Sequence, residues 1–337
     1  MTQLNTPLHR EERVPWKPAP GLRNRHVQSI LASLKLRRPL ARRRAREALA
    51  VAQDWILDAG DGRRLHGVFS PQKQEDAPLA VLLHGWEGCA DSLYILSLTA
   101  ELYRRGWQIF RLHLRDHGPS HHLNPELFHA NRLDEVVMAL ADLQQRTGAA
   151  NWAMVGFSLG GNFTLRTALA APEAGLKMGH AVAVSPVLEP IHTLEALETG
   201  LPLYRAYFRK KWLRSIRRKA EVHPGAVDVD AFVRSRSLSA MTEHFVREHT
   251  PYPDPESYFA GYAVTGNALE KLRIPTTLIF AEDDPVIPAR DLQRLRGNPN
   301  LHILRTAHGG HCGFIQDYRL TAWVDGVIAG KLEPLRS

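Results

Sequence analysis

The sequence predicts an α/β fold, with a mostly parallel central sheet flanked by helices and an inserted helical cap. Short apolar runs of strand length alternate with segments of helical period from residue 79 onward. One run, Leu79–Leu83, is apolar at every position, as expected of a strand buried on both faces. The alternation stops from 186 to 269 and then resumes, which indicates the cap. We therefore expect an N-terminal arm with a basic helical segment (1–50), a core (51–185 and 270–337) and a cap (186–269).

The elements follow in order along the chain. Residues 1–20 are polar and contain four prolines, so we expect an arm on the surface. An Asp-Gly turn between two alternating runs predicts an antiparallel hairpin, Val51–Leu57 with Arg64–Phe69. The later predicted strands are Trp107–Leu112, Trp152–Val155, His180–Val184, Thr276–Phe280 and Leu301–Leu304. Helical spacing predicts helices over Leu22–Leu36, Ser92–Arg105, Leu133–Gln145, Asn162–Ala171, Leu201–Lys219, Ala289–Leu295 and Tyr318–Ile328.

Composition narrows the class of protein. The chain has 337 residues, a formal charge of +8 and 44% apolar residues, enough for a large core. A basic chain can bind nucleic acid, but zinc-finger and RNP-like patterns are missing, so we do not expect nucleic-acid binding. The sequence contains no signal-peptide h-region and no apolar run long enough to span a membrane, so we expect a cytoplasmic protein. Cys89 and Cys312 make neither a disulfide framework nor a metal set, and the oligomeric state stays open.

Ser158 is the candidate nucleophile. It lies in the pattern Gly156-Phe157-Ser158-Leu159-Gly160, between an apolar strand and a helix that Pro172 ends. This strand–turn–helix context is that of a nucleophile elbow, in which flanking glycines allow a very tight turn. The elbow predicts the α/β-hydrolase fold and a serine hydroxyl pushed out at the top of its sheet.

A serine hydroxyl needs a base to accept its proton and an acid to orient that base. In this fold the acid and the histidine follow the serine, each on a loop after a later strand. The loop after Thr276–Phe280 contains Asp283 and Asp284; we prefer Asp284, at the usual offset before Pro-Val-x-Pro, with Asp283 as the alternative. The loop after Leu301–Leu304 contains His308 and His311, and we prefer His311, which has glycines on both sides.

An acyl-transfer site also needs N–H donors for the developing oxyanion. We expect one from the amide of Leu159 and the other from the amide of Trp86, in the loop after Leu79–Leu83. In the same loop we predict that His84, Gly85 and Glu87 contribute to substrate binding.

Five histidines, His113, His117, His121, His122 and His129, lie within 17 residues. Their spacing fits no helical ligand pair and no carboxylate set accompanies them, so we expect no metal site and no cofactor. We expect instead a loop near the mouth of the site, with partly solvated imidazoles.

The predicted helix Leu201–Lys219 is strongly basic. Tyr204, Phe208, Trp212 and Ile216 recur every four residues, which favours an apolar stripe packed on the core. The alternative is an interfacial helix that contacts an anionic membrane.

Several segments resemble the YheT-like α/β-hydrolases, which are related to the plant embryogenesis-associated hydrolases. They are Leu22–Gln28, His84–Gly88 with Ser92 and Tyr94, Gly156–Asn162, Asp283–Pro285 and Gly309–Phe314, and they span most of the chain. The resemblance implies a serine hydrolase that acts on carboxylic esters. One departure is Arg115-Asp116-His117-Gly118, since such enzymes commonly have Arg-Gly there; an aspartate could change the backbone or add a charge at the edge of the site.

We therefore expect a serine hydrolase that cleaves small-molecule acyl esters with Ser158, His311 and Asp284, without a cofactor. Two alternatives remain: thioester or amide hydrolysis, or acyl transfer, on the same residues; or a non-catalytic module of this fold that binds an anionic membrane or RNA.

Overall fold

The computed structural model describes residues 9–74 and 76–336. Within these ranges the fold is built on one sheet of nine strands in the order β1-β9-β8-β7-β6-β4-β5-β3-β2. All neighbouring strands pair in parallel except at β2–β3 and β3–β5, which confirms the predicted hairpin and the mostly parallel sheet. The strands are β1 (Arg10–Arg13), β2 (Gln53–Asp58), β3 (Arg64–Ser70), β4 (Leu79–Leu83), β5 (Gln108–Leu112), β6 (Trp152–Phe157), β7 (Met178–Val184), β8 (Thr276–Ala281) and β9 (Leu301–Thr306).

Helices cover both faces of this sheet. In the described ranges they are α1 (Arg25–Ser33), α2 (Arg38–Arg44), α3 (Arg46–Ala50), α4 (Leu93–Arg104), α5 (Leu133–Thr147), α6 (Leu159–Ala170), α7 (Pro190–Thr199), α8 (Pro202–Val222), α9 (Val229–Arg234), α10 (Leu238–His249), α11 (Pro255–Ala260) and α12 (Trp323–Leu332). Helices α7 to α11 form one insertion between β7 and β8, within the segment where the sequence alternation stops. No helix in the described ranges is long and apolar enough to cross a membrane.

Strand β4 shows how the core is divided. Leu79, Val81 and Leu83 join the cluster that includes α5, α6 and the insertion. Ala80 and Leu82 join the cluster on the other face, with α4 and α12. Successive side chains of a strand point to opposite faces, so an uninterrupted apolar run is what a strand covered on both faces requires.

Part of the expected N-terminal surface arm is a strand, since Arg10–Arg13 forms the edge strand β1. It pairs in parallel with β9, with Arg10 opposite His302. All four residues are exposed, so the strand lacks the apolar alternation by which strands are recognised. Arg13 reaches Glu282 at 2.9 Å, and such charges are typical of a protected sheet edge. Residues 1–8 of the predicted arm lie outside the described residues.

Two predicted helices differ in the structure. The segment Ala289–Arg294 is a 3₁₀ helix, and the last helix begins at Trp323, five residues later than predicted. The residues before it form a turn in which the Asp317 carboxylate accepts hydrogen bonds from the amide and the hydroxyl of Thr321. A short acidic side chain that bonds nearby backbone competes with helix formation.

Candidate active site

Ser158 connects the end of β6 to the start of α6, with a backbone φ of 56°. At the two glycines of the motif, Gly156 and Gly160, the turn leaves no room for a side chain. A Cβ on Gly156 would lie 2.1 Å from the Gly160 carbonyl oxygen, and a Cβ on Gly160 would lie 2.4 Å from the carbonyl oxygens of Leu83 and His84. The positive φ of a non-glycine residue costs free energy that the surrounding structure must offset. Both glycines of the motif are therefore required by contact as well as by pattern.

The preferred residues form one hydrogen-bonded chain. The His311 Nε2 lies 3.0 Å from the Ser158 Oγ, and its Nδ1 lies 2.9 Å from the Asp284 Oδ2. The other carboxylate oxygen of Asp284 accepts the amides of Val286 and Ile287 at 2.8 and 3.0 Å. With Nδ1–H donating to the carboxylate, Nε2 presents its lone pair to the serine hydroxyl.

The alternative pair, Asp283 and His308, lies beside this chain. The Asp283 Oδ1 accepts the amide of Gly310 at 2.8 Å, and its Oδ2 lies 3.7 Å from the His308 Nδ1. Asp283 thus braces the backbone of the histidine loop, while Asp284 contacts the imidazole of His311.

The electrostatics of His311 are set by its partner. Burial disfavours the charged imidazole, but Asp284 and Cys312 outweigh it and raise the pKa of His311 well above its usual value. The Asp284 carboxylate therefore stabilises an imidazolium at this position.

Two backbone amides, those of Leu159 and Trp86, belong to segments that adjoin Ser158. The Leu159 amide is in the first turn of α6, where amides have no intrahelical acceptor. The loop with the Trp86 amide is pressed against the serine, since a Cβ on Gly85 would lie 3.0 Å from the Ser158 Cβ. Within the described part of the chain, neither amide donates a hydrogen bond to protein. The start of α6 adds the positive end of its helix dipole.

A cavity opens beside Ser158. One wall comes from the core and the other from α7, α8, α10 and α11. The indole of Trp86 stacks on Phe208 at 5.5 Å and meets Trp212 edge-on at 5.2 Å. The lining is mainly apolar, and its polar side chains include Glu87, Asp116, His117, Thr193, Ser215 and Thr242. Such a site suits an apolar group presented to the serine.

The residues predicted for substrate binding lie in different places. Glu87 lines the cavity, where withdrawal from water raises its carboxyl pKa to about 8 against the effect of Lys211 and Arg214. Gly85 touches Ser158, as described above. The His84 side chain is buried behind the loop, with its Nδ1 2.8 Å from the Gly85 carbonyl oxygen, and does not line the cavity.

The chain is similar to one family over most of its length. The sequence profile of a family described as the alpha/beta hydrolase fold matches residues 78–318. The chain belongs to that family. This α/β-hydrolase is 27% identical to YheT of Escherichia coli (strain K12), a proposed esterase, over 88% of the chain and 86% of YheT. It is 24% identical to the embryogenesis-associated protein EMB8 of Picea glauca, over 95% of the chain and 72% of EMB8.

A solved structure agrees with this assignment at the level of the fold. The Pyrococcus furiosus esterase Pf2001 matches with a TM-score of 0.56 at 15% identity, covering 85% of this chain and 91% of Pf2001. The resemblance to YheT-like proteins is confirmed, and the chain is assigned to the hydrolases.

Sequence reasoning missed the residues that hold the histidine loop of this hydrolase. The Ser29 hydroxyl accepts the amide of His311 at 2.8 Å. The buried Gln28 accepts the amide of Ile315 at 2.7 Å and donates to the carbonyls of Ile315 and Leu22 at 2.9 and 2.6 Å. The available signal was that Gln28 lies in one of the segments that carry the family resemblance. Its hydrogen-bond partner Ile315, however, is 287 residues away in the chain.

The expectation of partly solvated imidazoles is wrong for most of the histidine cluster. His113, His117, His121 and His129 are buried, and only His122 of the five is exposed. The His121 Nε2 lies 2.8 Å from the Ser215 hydroxyl, whereas the Nδ1 atoms of His121 and His129 are buried without a hydrogen-bond partner among the described residues. In the described ranges, no group of three or more His, Cys, Asp or Glu residues is placed to hold a metal ion.

The apolar stripe of α8 faces inward. Tyr204, Trp212 and Ile216 are buried and Phe208 packs against the core, as the favoured interpretation of the sequence predicts. The basic Lys219 is also buried, and its Nζ donates to the Asp116 Oδ1 at 2.7 Å. The unusual aspartate therefore has both effects considered from the sequence: it adopts a positive φ of 57°, and its charge anchors α8.

Proposed function

We propose that this hydrolase is a serine esterase that cleaves small-molecule carboxylic esters through an acyl-enzyme. The observation that carries the proposal is the chain Ser158–His311–Asp284, with bonds of 3.0 and 2.9 Å, at a nucleophile elbow beside an apolar cavity. Nucleophile, base and orienting acid in this arrangement are what acyl transfer requires.

In the proposed first step, the Ser158 Oγ attacks the ester carbonyl carbon while the His311 Nε2 takes the hydroxyl proton. The carbonyl electron pair moves to the oxygen, which accepts hydrogen bonds from the amides of Leu159 and Trp86. Asp284 stays ionised and stabilises the imidazolium. Collapse of the intermediate breaks the bond to the alcohol oxygen, which takes the proton from Nε2.

In the second step, water gives a proton to the His311 Nε2 and attacks the acyl carbon. The second tetrahedral intermediate releases the acid, and Oγ regains its proton from Nε2. The chemistry needs no cofactor. The helical insertion acts as a cap in this proposal, since it supplies the apolar wall that excludes water from the acyl group.

The decisive experiment is labelling with a fluorophosphonate, read by intact mass. We expect one adduct on the wild type and none on folded Ser158→Ala or His311→Ala. His308→Ala is the matched control, because its half-exposed imidazole contacts Asp283 instead of the serine; it should label normally. An unlabelled, well-folded wild type, or a labelled Ser158→Ala, would overturn the proposal.

A second experiment separates hydrolysis from acyl transfer. Ester, thioester and amide substrates with the same acyl group show which bond is cleaved, and adding an alcohol acceptor shows whether the acyl group is transferred to it.

We further propose that α8 contacts anionic lipid at its outer face. Lys210, Arg214 and Arg217 lie on one stripe of the helix, are exposed, and have no hydrogen bond or ion pair to any described residue. Leu203 and Tyr207, on the same stripe, are 53% and 38% exposed. The apolar stripe of α8 packs against the core and is not available to lipid. The proposed lipid contact is therefore mainly electrostatic, with a small apolar contribution from Leu203 and Tyr207.

Flotation with phosphatidylserine vesicles over a salt series tests this contact. Binding should weaken steeply with salt, and a Lys210→Gln, Arg217→Gln variant, which keeps Arg214 near Glu87, should lose most of it while keeping its activity in solution. Salt-insensitive binding, or equal binding by the variant, would contradict the contact. Binding to RNA in place of vesicles would favour the nucleic-acid alternative.

A further inference from the structure

Three buried imidazoles lie together at the loop at residues 84–90, which carries the Trp86 amide: His84 belongs to the loop, and His113 and His117 lie beside it. The ring of His84 lies 5.6 Å from that of His113 and 4.9 Å from that of His117. All three residues are at most 3% exposed. Buried polar rings of this kind need hydrogen-bond partners. The donor or acceptor character of each partner then fixes the direction of the bond.

Backbone amides define the state of two of these rings. The Glu87 amide donates to the His117 Nε2 at 3.0 Å, and the Ala90 amide donates to the His113 Nε2 at 2.9 Å. Since an amide N–H can only donate, each Nε2 must present a lone pair, and each imidazole is neutral with its proton on Nδ1.

The remaining nitrogens agree with this assignment. The His117 Nδ1 lies 2.7 Å from the Arg115 carbonyl oxygen and donates to it. The His113 Nδ1–H donates to the His66 Nδ1 at 2.9 Å, and the His66 Nε2–H donates a hydrogen bond to the Asp54 Oδ1 at 3.0 Å. Each ring has a donor and an acceptor facing the correct group.

The loop needs this support because its backbone is strained. Glu87, next to Trp86, has a φ of 56°, a left-handed conformation that non-glycine residues seldom adopt. His117 holds its amide, and Lys211 of α8 donates to its carbonyl oxygen. Gly118 permits the close fit, since a Cβ there would lie 2.4 Å from the His113 Nε2.

We propose that His113 and His117 are positioning residues: neutral imidazole acceptors that hold the loop at Glu87 and Ala90 and thereby aim the Trp86 amide at the oxyanion. The inference rests on the proposed esterase function. It makes His113 and His117 part of the support of the site. His117 also lines the cavity, but its two nitrogens bond the Glu87 amide and the Arg115 carbonyl.

Burial, assisted by nearby cationic side chains, keeps both rings neutral. Burial lowers the pKa of His117 to about 4; Lys211 acts in the same direction and the Arg115 carbonyl opposes it. Burial, His66, His117 and Arg111 lower the pKa of His113. His84 and Phe128 also pack on His117, and neither supplies a negative charge.

The test compares His117→Leu with His117→Gln. Leucine fills space without an acceptor, whereas the glutamine Oε1 reaches about as far as Nε2 and can accept the Glu87 amide. On a p-nitrophenyl ester we expect His117→Leu to lower kcat about 10- to 100-fold with KM within about twofold, because a displaced oxyanion donor acts in the transition state. His117→Gln should recover most of the loss. His122→Leu, at an exposed position, is the control.

Hydrogen exchange of the peptide covering 84–92 gives a second measurement that does not depend on activity. Protection should fall in His117→Leu and persist in His117→Gln. Equal kcat and equal protection in folded His117→Leu would overturn the inference, as would failure of glutamine to restore either. If His117→Leu does not fold, His117→Asn, whose amide is too short to reach Glu87, replaces it. An inactive wild type that keeps the protection pattern would sink the esterase proposal but not the loop support.

Discussion

The loop at residues 84–90 and the loop at residues 308–314 both contact Ser158, but different chemistry holds them. Imidazoles from the next loop in the sheet, His113 and His117, accept the amides of the first loop. An amide and a hydroxyl from helix α1, those of Gln28 and Ser29, hold the second. Imidazoles titrate in the accessible pH range, and amides and hydroxyls do not. The comparison predicts that acid weakens the imidazole support of the first loop and leaves the α1 support of the second loop intact.

The difference extends to the charge that each loop favours. Next to Asp284, the pKa of His311 is raised despite burial, whereas burial lowers the pKa of His113 and His117. One loop therefore contains an imidazole that favours the proton, and the other rests on imidazoles that reject it. Identical side chains thus serve opposite roles through their surroundings.

The largest effect should come from the carboxylates under the histidine loop. We expect Asp284→Asn to lower kcat by on the order of 10⁴-fold, because the amide favours the wrong imidazole tautomer and cannot stabilise the imidazolium. Asp283→Asn keeps an acceptor for the Gly310 amide and should lose less than about tenfold. Steady-state kinetics of both variants check this, and a larger loss in Asp283→Asn would reverse their assignment.

The next effect concerns the α1 support of the same loop. Gln28→Ala removes three hydrogen bonds in a buried site and leaves the amide and carbonyl of Ile315 unpaired. We expect the free energy of unfolding to fall by about 3 kcal/mol, measured by urea denaturation, together with slower fluorophosphonate labelling. The exposed Gln316→Ala is the control and should change stability by less than about 0.5 kcal/mol. Equal stability of the two variants would mean that α1 does not hold the loop.

The smallest effect is the response to pH, which should differ in sign between the loops. His117 has a folded pKa of about 4, below its unfolded value, so its contribution is complete above about pH 6.5 and declines as the pH falls toward 4. Between pH 6.5 and 5 this group should remove about 2 kcal/mol of stability. His311, with a raised pKa, stabilises the folded protein below its unfolded pKa and loses that contribution as the pH rises.

Urea unfolding across this range, with wild type and His117→Gln, checks the acid half. The variant should lack the His117 part of the acid loss. Its kcat/KM should still rise with pH, because His311 must be neutral to act as base. Parallel stability profiles for the two proteins would contradict the assigned neutral state of His117.

The layered core and the chain order of serine, acid and histidine could both be predicted from the sequence. Strand β4 could be recognised because both of its faces are covered, so all five of its residues are apolar. The elbow could be recognised because a turn this tight excludes side chains at Gly156 and Gly160, which leaves a fixed local pattern. Local sterics and burial leave signals within a few residues of their cause, and a sequence displays such signals directly.

Contacts between groups that are distant in the chain become visible in the three-dimensional structure. Asp283 and Asp284 are adjacent in the chain, and only their distances to His311 separate them. Edge strand β1 lacks an apolar face, and Gln28 bonds a residue nearly 290 positions away. The sequence does not distinguish the buried histidines from solvated ones. Their hydrogen-bond donors are backbone amides, which every residue except proline has, so no particular residue type marks the contact. A hydrogen bond between residues that are far apart in the chain leaves no pattern in the sequence around either partner. Such bonds are therefore recognised only in the folded structure.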